Sequence, residues 1–270
     1  MNTTLEATKP WLVIRLGDSV FGVSANWVQE MVSMPLLSSV PNVPSFIRGV
    51  MNLRGKVLPL IDLRERLGMV SAHTENQELI AMLQQREQDH RNWLRELRAC
   101  IDENRPFTLA TDPHQCAFGK WYDAYRTENL MVSNLLAKFD APHARIHGIA
   151  QEAISLQKKD KVEAARQLIQ KTESTDLAVV AGLFENLRRT LADSSREIAL
   201  VLKSARKNFA VAVDAVESVE TLCAEFEPLQ DIIRNSFCQY AGTRLKDKSH
   251  ILILEPDAIL EDETIAALEK

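Results

Sequence analysis

Between Asn76 and Asp193 this 270-residue chain holds only three glycines, Gly119, Gly148 and Gly182, and its apolar residues recur at helical spacing. On either side they recur as in strands. This double change of period limits the fold more than any other feature. On the N-terminal side, Trp11 to Leu16 is a β-rich run, Gly17-Asp18 a turn and Val20 to Val23 a second strand. Pro41 and Pro44 punctuate a loop. Phe46 to Leu53 and Val57 to Leu63 read as strands joined through Arg54-Gly55-Lys56. β texture returns after Ser195: Ile198 to Leu202 and Phe209 to Val213 flank a turn at Ala205 to Asn208, and His250 to Leu254 is a late strand. Within the helical stretch Leu177, Val180, Phe184, Leu187 and Leu191 form a core-facing stripe. The pattern fits two domains in series or one β body split by a helical insertion. The answer depends on whether the flanks complete each other, because each is only about 75 residues and short of core by itself.

An apolar fraction of 46% and a charged fraction of 26% belong to an ordinary globular protein. A net charge of −5 gives no argument for nucleic acid as the main partner. No apolar run nears the ~18–20 residues of a membrane span. Met1 to Pro10 lacks a basic segment followed by an apolar core, so no signal peptide is expected. Cys100, Cys116, Cys223 and Cys238 show no regular spacing, which suits free thiols in a cytoplasmic chain.

Four of the six histidines, His90, His114, His143 and His147, fall in the helical stretch. His90 shares a helix face with Leu83, Leu94, Leu97 and Ile101. His143 and His147 are four apart, hence on one face, which Ala150 and Ile154 continue inward. Cys116 stands in a loop running into the aromatic-rich Phe118-Gly119-Lys120-Trp121-Tyr122. Each residue alone fits a hydrogen-bonded or small buried core position. Burying three imidazoles without partners is costly, and a tetrahedral Zn2+, which takes N and S ligands, satisfies three histidines and a thiol at once.

Residues 11–68 resemble the first half of the CheW-like domain. The resemblance rests on Leu16-Gly17-Asp18, Val28-Gln29-Glu30, Val40-Pro41-Asn42-Val43-Pro44 and the long run from Phe46-Ile47-Arg48-Gly49 to Ile61-Asp62-Leu63. Ala212 to Val219 resembles the family's second half, and the tail from Cys223 to Leu260 does so more weakly. The insert is similar to the chemoreceptor zinc-binding (CZB) domain in His90-Arg91-Asn92-Trp93, in Cys116 to Tyr122, in His143-x-x-x-His147 and in Lys159 to Ala165. These resemblances imply an α+β multidomain chain. A body of two intertwined β-barrels (1–75 and 196–270) is interrupted by a zinc-binding bundle of four main helices (76–195). Such a bundle returns its end beside its start, so it can replace a surface loop. They further imply no catalysis, zinc ligands His90, Cys116, His143 and His147, and a cytoplasmic adaptor between chemoreceptor tips and the regulatory domain of the histidine kinase CheA. A homodimer through the helical insert is left open. Arg54, beside Gly55, is the implied receptor contact; on physics alone it is a solvated turn residue with Gly55 supplying positive φ. His114 is the alternative ligand, two residues from Cys116, whereas Cys100 lies about 80° off the His90 face.

Four protein ligands close the coordination sphere, and His143 to His147 lacks the glutamate that follows the first histidine of a metalloprotease helix, so hydrolysis is not expected. Two roles remain: a structural zinc, or a sensor of zinc or oxidants through the Cys116 thiolate. A metal-binding or oxidant-reactive protein on a degenerate scaffold is the alternative to a coupling adaptor.

Overall fold

The computed structural model describes residues 9–193, 197–204, 207–223, 225–230 and 237–260. These fall into two compact units, one from the stretches up to Glu75 and from Ser195 onward, the other Asn76–Ser194. The expected turn at Ala205 to Asn208 lies partly outside the described residues, as does the expected junction at 195–196.

In the first unit Trp11–Leu16 (β1) and Ser19–Ser24 (β2) form a hairpin about Gly17-Asp18. Val28–Ser33 (β3) and Leu37–Ser38 (β4) follow, then the hairpin Ile47–Leu53 (β5) and Lys56–Asp62 (β6), and a short helix Leu63–Arg66 (α1). After the helical stretch come Ile198–Lys203 (β7), Asn208–Val213 (β8), Ala215–Glu220 (β9), Glu227–Pro228 (β10), Cys238–Thr243 (β11) and His250–Leu254 (β12). Two six-stranded sheets result, ordered β10-β11-β12-β2-β1-β9 and β3-β7-β8-β6-β5-β4. Each mixes strands from both flanks. β1 lies between β2 and β9, β7 between β3 and β8, and β6 pairs parallel with β8 at Leu60↔Ala210. One core joins Ile14, Leu16 and Phe21 to Leu200, Phe209 and Val213. Neither flank owns a complete sheet, so each completes the other. β3 and β9 carry half-exposed alternation and gave no clear strand signal in the sequence.

The points where the chain leaves and re-enters this unit are tied together by a buried polar relay. Ser71 precedes helix Ala72–Glu103 (α2); its Oγ accepts from Thr74 N–H at 3.4 Å and its carbonyl from Glu75 N–H at 3.0 Å. The helix therefore starts four residues before the expected Asn76. Ser71 Oγ also donates to Asp62 Oδ2 at 2.5 Å. That carboxylate lies 3.9 Å from Arg48 Nη1, which donates to both carboxylate oxygens of Glu197 at 2.7 and 2.8 Å. Arg48 and Asp62 stand at the base of the β5–β6 hairpin whose tip carries Arg54.

The helical unit continues from α2 through a 3-10 turn, Pro113–Gln115, to Ala117–Ala124 (α3), Leu130–Leu136 (α4) and Asp140–Lys158 (α5). Val162–Thr172 (α6), a π-helical turn Glu173–Leu177 and Ala178–Asp193 (α7) then run without a break. The stripe expected at Leu177, Val180, Phe184, Leu187 and Leu191 is buried, as are Leu83, Leu94, Leu97 and Ile101 of α2. Asn76 Nδ2 donates to Leu191 O at 2.9 Å, joining the first and last turns of the unit.

Candidate metal centre

Each donor owes its place to local structure. His90 sits mid-way along α2 on its apolar face. His143 and His147 occupy successive turns of α5, and Pro142 is accommodated in its first turn. Cys116 ends the 3-10 turn and caps α3, its Sγ accepting from Gly119 N–H at 3.2 Å. A Cβ on Gly119 would lie 1.9 Å from Pro113 O, so only glycine lets α3 start this close to the turn that delivers the thiol.

One donor atom from each of His90, Cys116, His143 and His147 lies within 4.8 Å of every other. Cys116 Sγ is 3.3 Å from His143 Nε2. The three imidazoles are 96% or more buried, while Cys116 is only partly so. Phe118 packs edge-on against His90 and His143 and in turn against Phe139 and Phe184, which walls the cluster with dry rings.

The ring nitrogens show which way the lone pairs face. His90 Nδ1 is 2.6 Å from Arg86 O and His147 Nδ1 is 3.1 Å from Ala110 O. A carbonyl only accepts, so both Nδ1 atoms carry hydrogen. Burial pushes all three histidines down, His143 to about 3 and His147 to about 4, with neighbouring imidazoles adding to the effect in those two. Neutral rings protonated at Nδ1 leave Nε2 bare. Those Nε2 atoms in His90 and His147 are buried and unpartnered among the described residues. Two buried lone pairs without donors, beside a third imidazole and a sulfur, suit a cation that accepts N and S ligands, as zinc does. Burial raises the Cys116 thiol, and backbone N–H groups of Gly119 and Phe118 oppose that.

His114, the alternative ligand, is outside the cluster: it is exposed and pairs with Asp123 at 2.9 Å. Cys100 is buried elsewhere, with Arg105 Nη1 2.8 Å from its sulfur. Arg54 and Gly55 form the β5–β6 turn, both at positive φ (51° and 83°) as a type I′ turn requires. The Arg54 side chain is 82% exposed and reaches Glu30 at 2.8 Å. Sequence reasoning gave Arg86, Ala110 and Gly119 no role; two act through backbone oxygens, which leave no mark on residue type.

In metal-free protein the sign of the pH dependence follows from these histidines. Their folded values lie below the ordinary ~6.5 of an unfolded chain, so only the unfolded state takes up protons between the two. Stability of the helical unit is complete above pH ~6.5 and falls as pH drops toward 4. Chemical denaturation of the metal-free chain at pH 7.5 and 5 is expected to show a loss of several kcal/mol, since each tenfold drop in a histidine's proton affinity on folding is worth about 1.4 kcal/mol. His143→Gln and His147→Gln together should remove most of it and leave the share of His90; equal stability of the wild type at both pH values counts against buried neutral imidazoles.

Fold and site together define a β scaffold, built from two separated stretches, with a helical module whose His/Cys group is positioned to hold a metal ion. Residues 10–90 match the CheW-like domain and residues 90–154 the chemoreceptor zinc-binding domain. The chain thus carries a stretch that matches a CheW-like domain, followed by one that matches a chemoreceptor zinc-binding domain. A probable chemotaxis protein CheW of Rhizobium etli is 39% identical over 75 residues, 28% of this chain and 48% of that protein. The chemotaxis protein CheW of Rhizobium meliloti is 36% identical over 73 residues, 27% of this chain and 47% of that one. The chain thus spans about half the length of the curated relatives it matches. The scaffolding protein TtCheW of Thermoanaerobacter tengcongensis superposes with a TM-score of 0.46 at 14% identity, covering 95% of this chain and 94% of that one. No helix of the described residues is long and apolar enough to cross a membrane.

Proposed function

We propose that this chain is a chemotaxis coupling adaptor joining chemoreceptor tips to the kinase CheA. Its insert, residues 76–195, holds one Zn2+ through His90, Cys116, His143 and His147 and reports zinc or oxidants through Cys116. The observation that carries this reading is the convergence of four donors, drawn from α2, the Cys116 turn and α5, with the sulfur alone only partly buried. Bound zinc keeps the thiol deprotonated. A peroxide-class oxidant would transfer oxygen to that sulfur, leaving a sulfenate and a reduced leaving group, and so weaken one ligand of four. α2 and α5 would then lose a shared tie.

Each unit closes its own ends, the helical one through Asn76–Leu191 and the β one through the Ser71–Asp62–Arg48–Glu197 relay under the Arg54 hairpin. Arg54 stands at the tip of this type I′ hairpin turn with its side chain 82% exposed, where a partner can reach it. Docking through exposed hairpin and sheet edges needs no catalysis, and a site closed by four protein donors argues against hydrolysis. Purely structural zinc on a degenerate scaffold is the second reading, favoured by that same closed donor set.

Pull-downs with the kinase regulatory domain and with receptor tips test the proposal. Arg54→Glu is expected to weaken receptor capture by about tenfold, roughly 1.4 kcal/mol. Peroxide is expected to release zinc and change capture in the wild type. Capture of neither partner ends the adaptor reading. Zinc retained under mild oxidant with Cys116 unmodified leaves the structural one.

A further inference from the structure

We infer that Trp93 is a positioning residue of the metal centre, fixing His147 through the carbonyl of Ala110. The inference rests on the zinc reading and extends it to a side chain that is not a ligand. Ala110 O receives two hydrogen bonds, from Trp93 Nε1 at 2.8 Å and from His147 Nδ1 at 3.1 Å. The Trp93 ring, 94% buried, also packs edge-on against His147 with centroids 4.8 Å apart, and against Phe107 at 5.1 Å.

The comparison with His90 shows why this carbonyl needs a holder. Arg86 O, which serves His90, belongs to α2 and is held by the helix. Ala110 belongs to the irregular segment between Glu103 and Pro113, where no ladder fixes a peptide plane. A freely turning carbonyl would let the His147 ring flip or change tautomer, and either takes the Nε2 lone pair off the centre. Trp93 is one helical turn from His90 on α2, so its indole N–H pins the loop peptide to the helix that supplies another donor. The same peptide lies six residues before Cys116. One indole hydrogen bond therefore steadies a histidine donor directly and shortens the free segment leading to the sulfur.

Zinc titration of the full chain against a competing chelating dye tests this in four proteins: wild type, Trp93→Phe, His147→Ala and the double variant. Trp93→Phe keeps an aromatic ring and loses the N–H. It is expected to bind one zinc with affinity lowered about tenfold, the low end for loss of an outer partner. In the His147→Ala background the same change should have little further effect, because the group it positions is gone; a merely structural tryptophan would weaken both backgrounds equally. Wild-type affinity in Trp93→Phe, or equal losses in both backgrounds, overturns the inference and leaves the zinc reading intact. No zinc bound by the wild type overturns both. A long-range 15N–1H spectrum of the wild type needs no variant to fold: it is expected to show His147 protonated at Nδ1, and protonation at Nε2 refutes the inference.

Discussion

Stripping zinc from the purified chain is expected to lower the melting temperature of the helical unit by about 15 °C. The loss of a ligand held a thousandfold above its Kd removes about 4 kcal/mol, and a unit of this size shifts by roughly 4 °C per kcal/mol. The structural cause is local. Three buried imidazoles and a partly buried thiol lie beside Phe118 and Phe184, and two Nε2 atoms there have no donor among the described residues. A cation compensates three buried imidazoles and a partly buried thiol at once; without it each imidazole carries its own desolvation cost. The apolar core of Leu97, Phe139, Ile146, Phe184 and Leu187 persists, so the unit should soften rather than vanish. The β unit, with separate cores, should keep its transition. Scanning calorimetry with and without chelator reads both. Cys116→Ala should bring the helical transition near the chelated value with zinc present, and wild type unmoved by chelator would sink the four-donor site.

The parts legible in the sequence were those with a period. The stripe from Leu177 to Leu191 and the inward face of α2 obey helical spacing, and His90, His143 and His147 could be placed by the same arithmetic because they share those faces. Cys116 has no period; its role came from a resemblance. The strands with buried faces were readable, and β3 and β9, half-exposed, were not. Least legible was anything joining distant residues. Arg48 and Glu197 are 149 positions apart and each is an ordinary charge in its own neighbourhood. Trp93 stands out in the sequence, yet its hydrogen bond ends on an alanine carbonyl, an atom that every residue type offers.

Breaking the relay at Arg48 is expected to cost the β unit about 3–5 kcal/mol, as removal of one member of a buried ion pair does. Arg48→Ala would leave the carboxylates of Asp62 and Glu197 facing each other with 2% and 7% of their side chains exposed. Glu197→Ala should cost less, because Arg48 has Asp62 3.9 Å away and can close on it. Urea denaturation ranks the two, and the reverse order would show that the arginine is not the hub. Replacing both, Arg48→Met with Glu197→Leu, should recover part of the stability, since apolar pairs of similar volume often match a buried ion pair and Asp62 keeps its hydrogen bonds from Ser71 Oγ and Glu65 N–H. That double variant separates stability from signalling. Asn76 still meets Leu191, so the insert's own ends stay joined, but the link from Glu197 to the base of the Arg54 hairpin is gone. If the relay carries the state of the metal centre, this stable protein should bind zinc normally and capture receptor tips equally with zinc present or stripped, whereas the wild type should not. A zinc-dependent capture undiminished in the double variant would mean that the ion pair only holds the scaffold together.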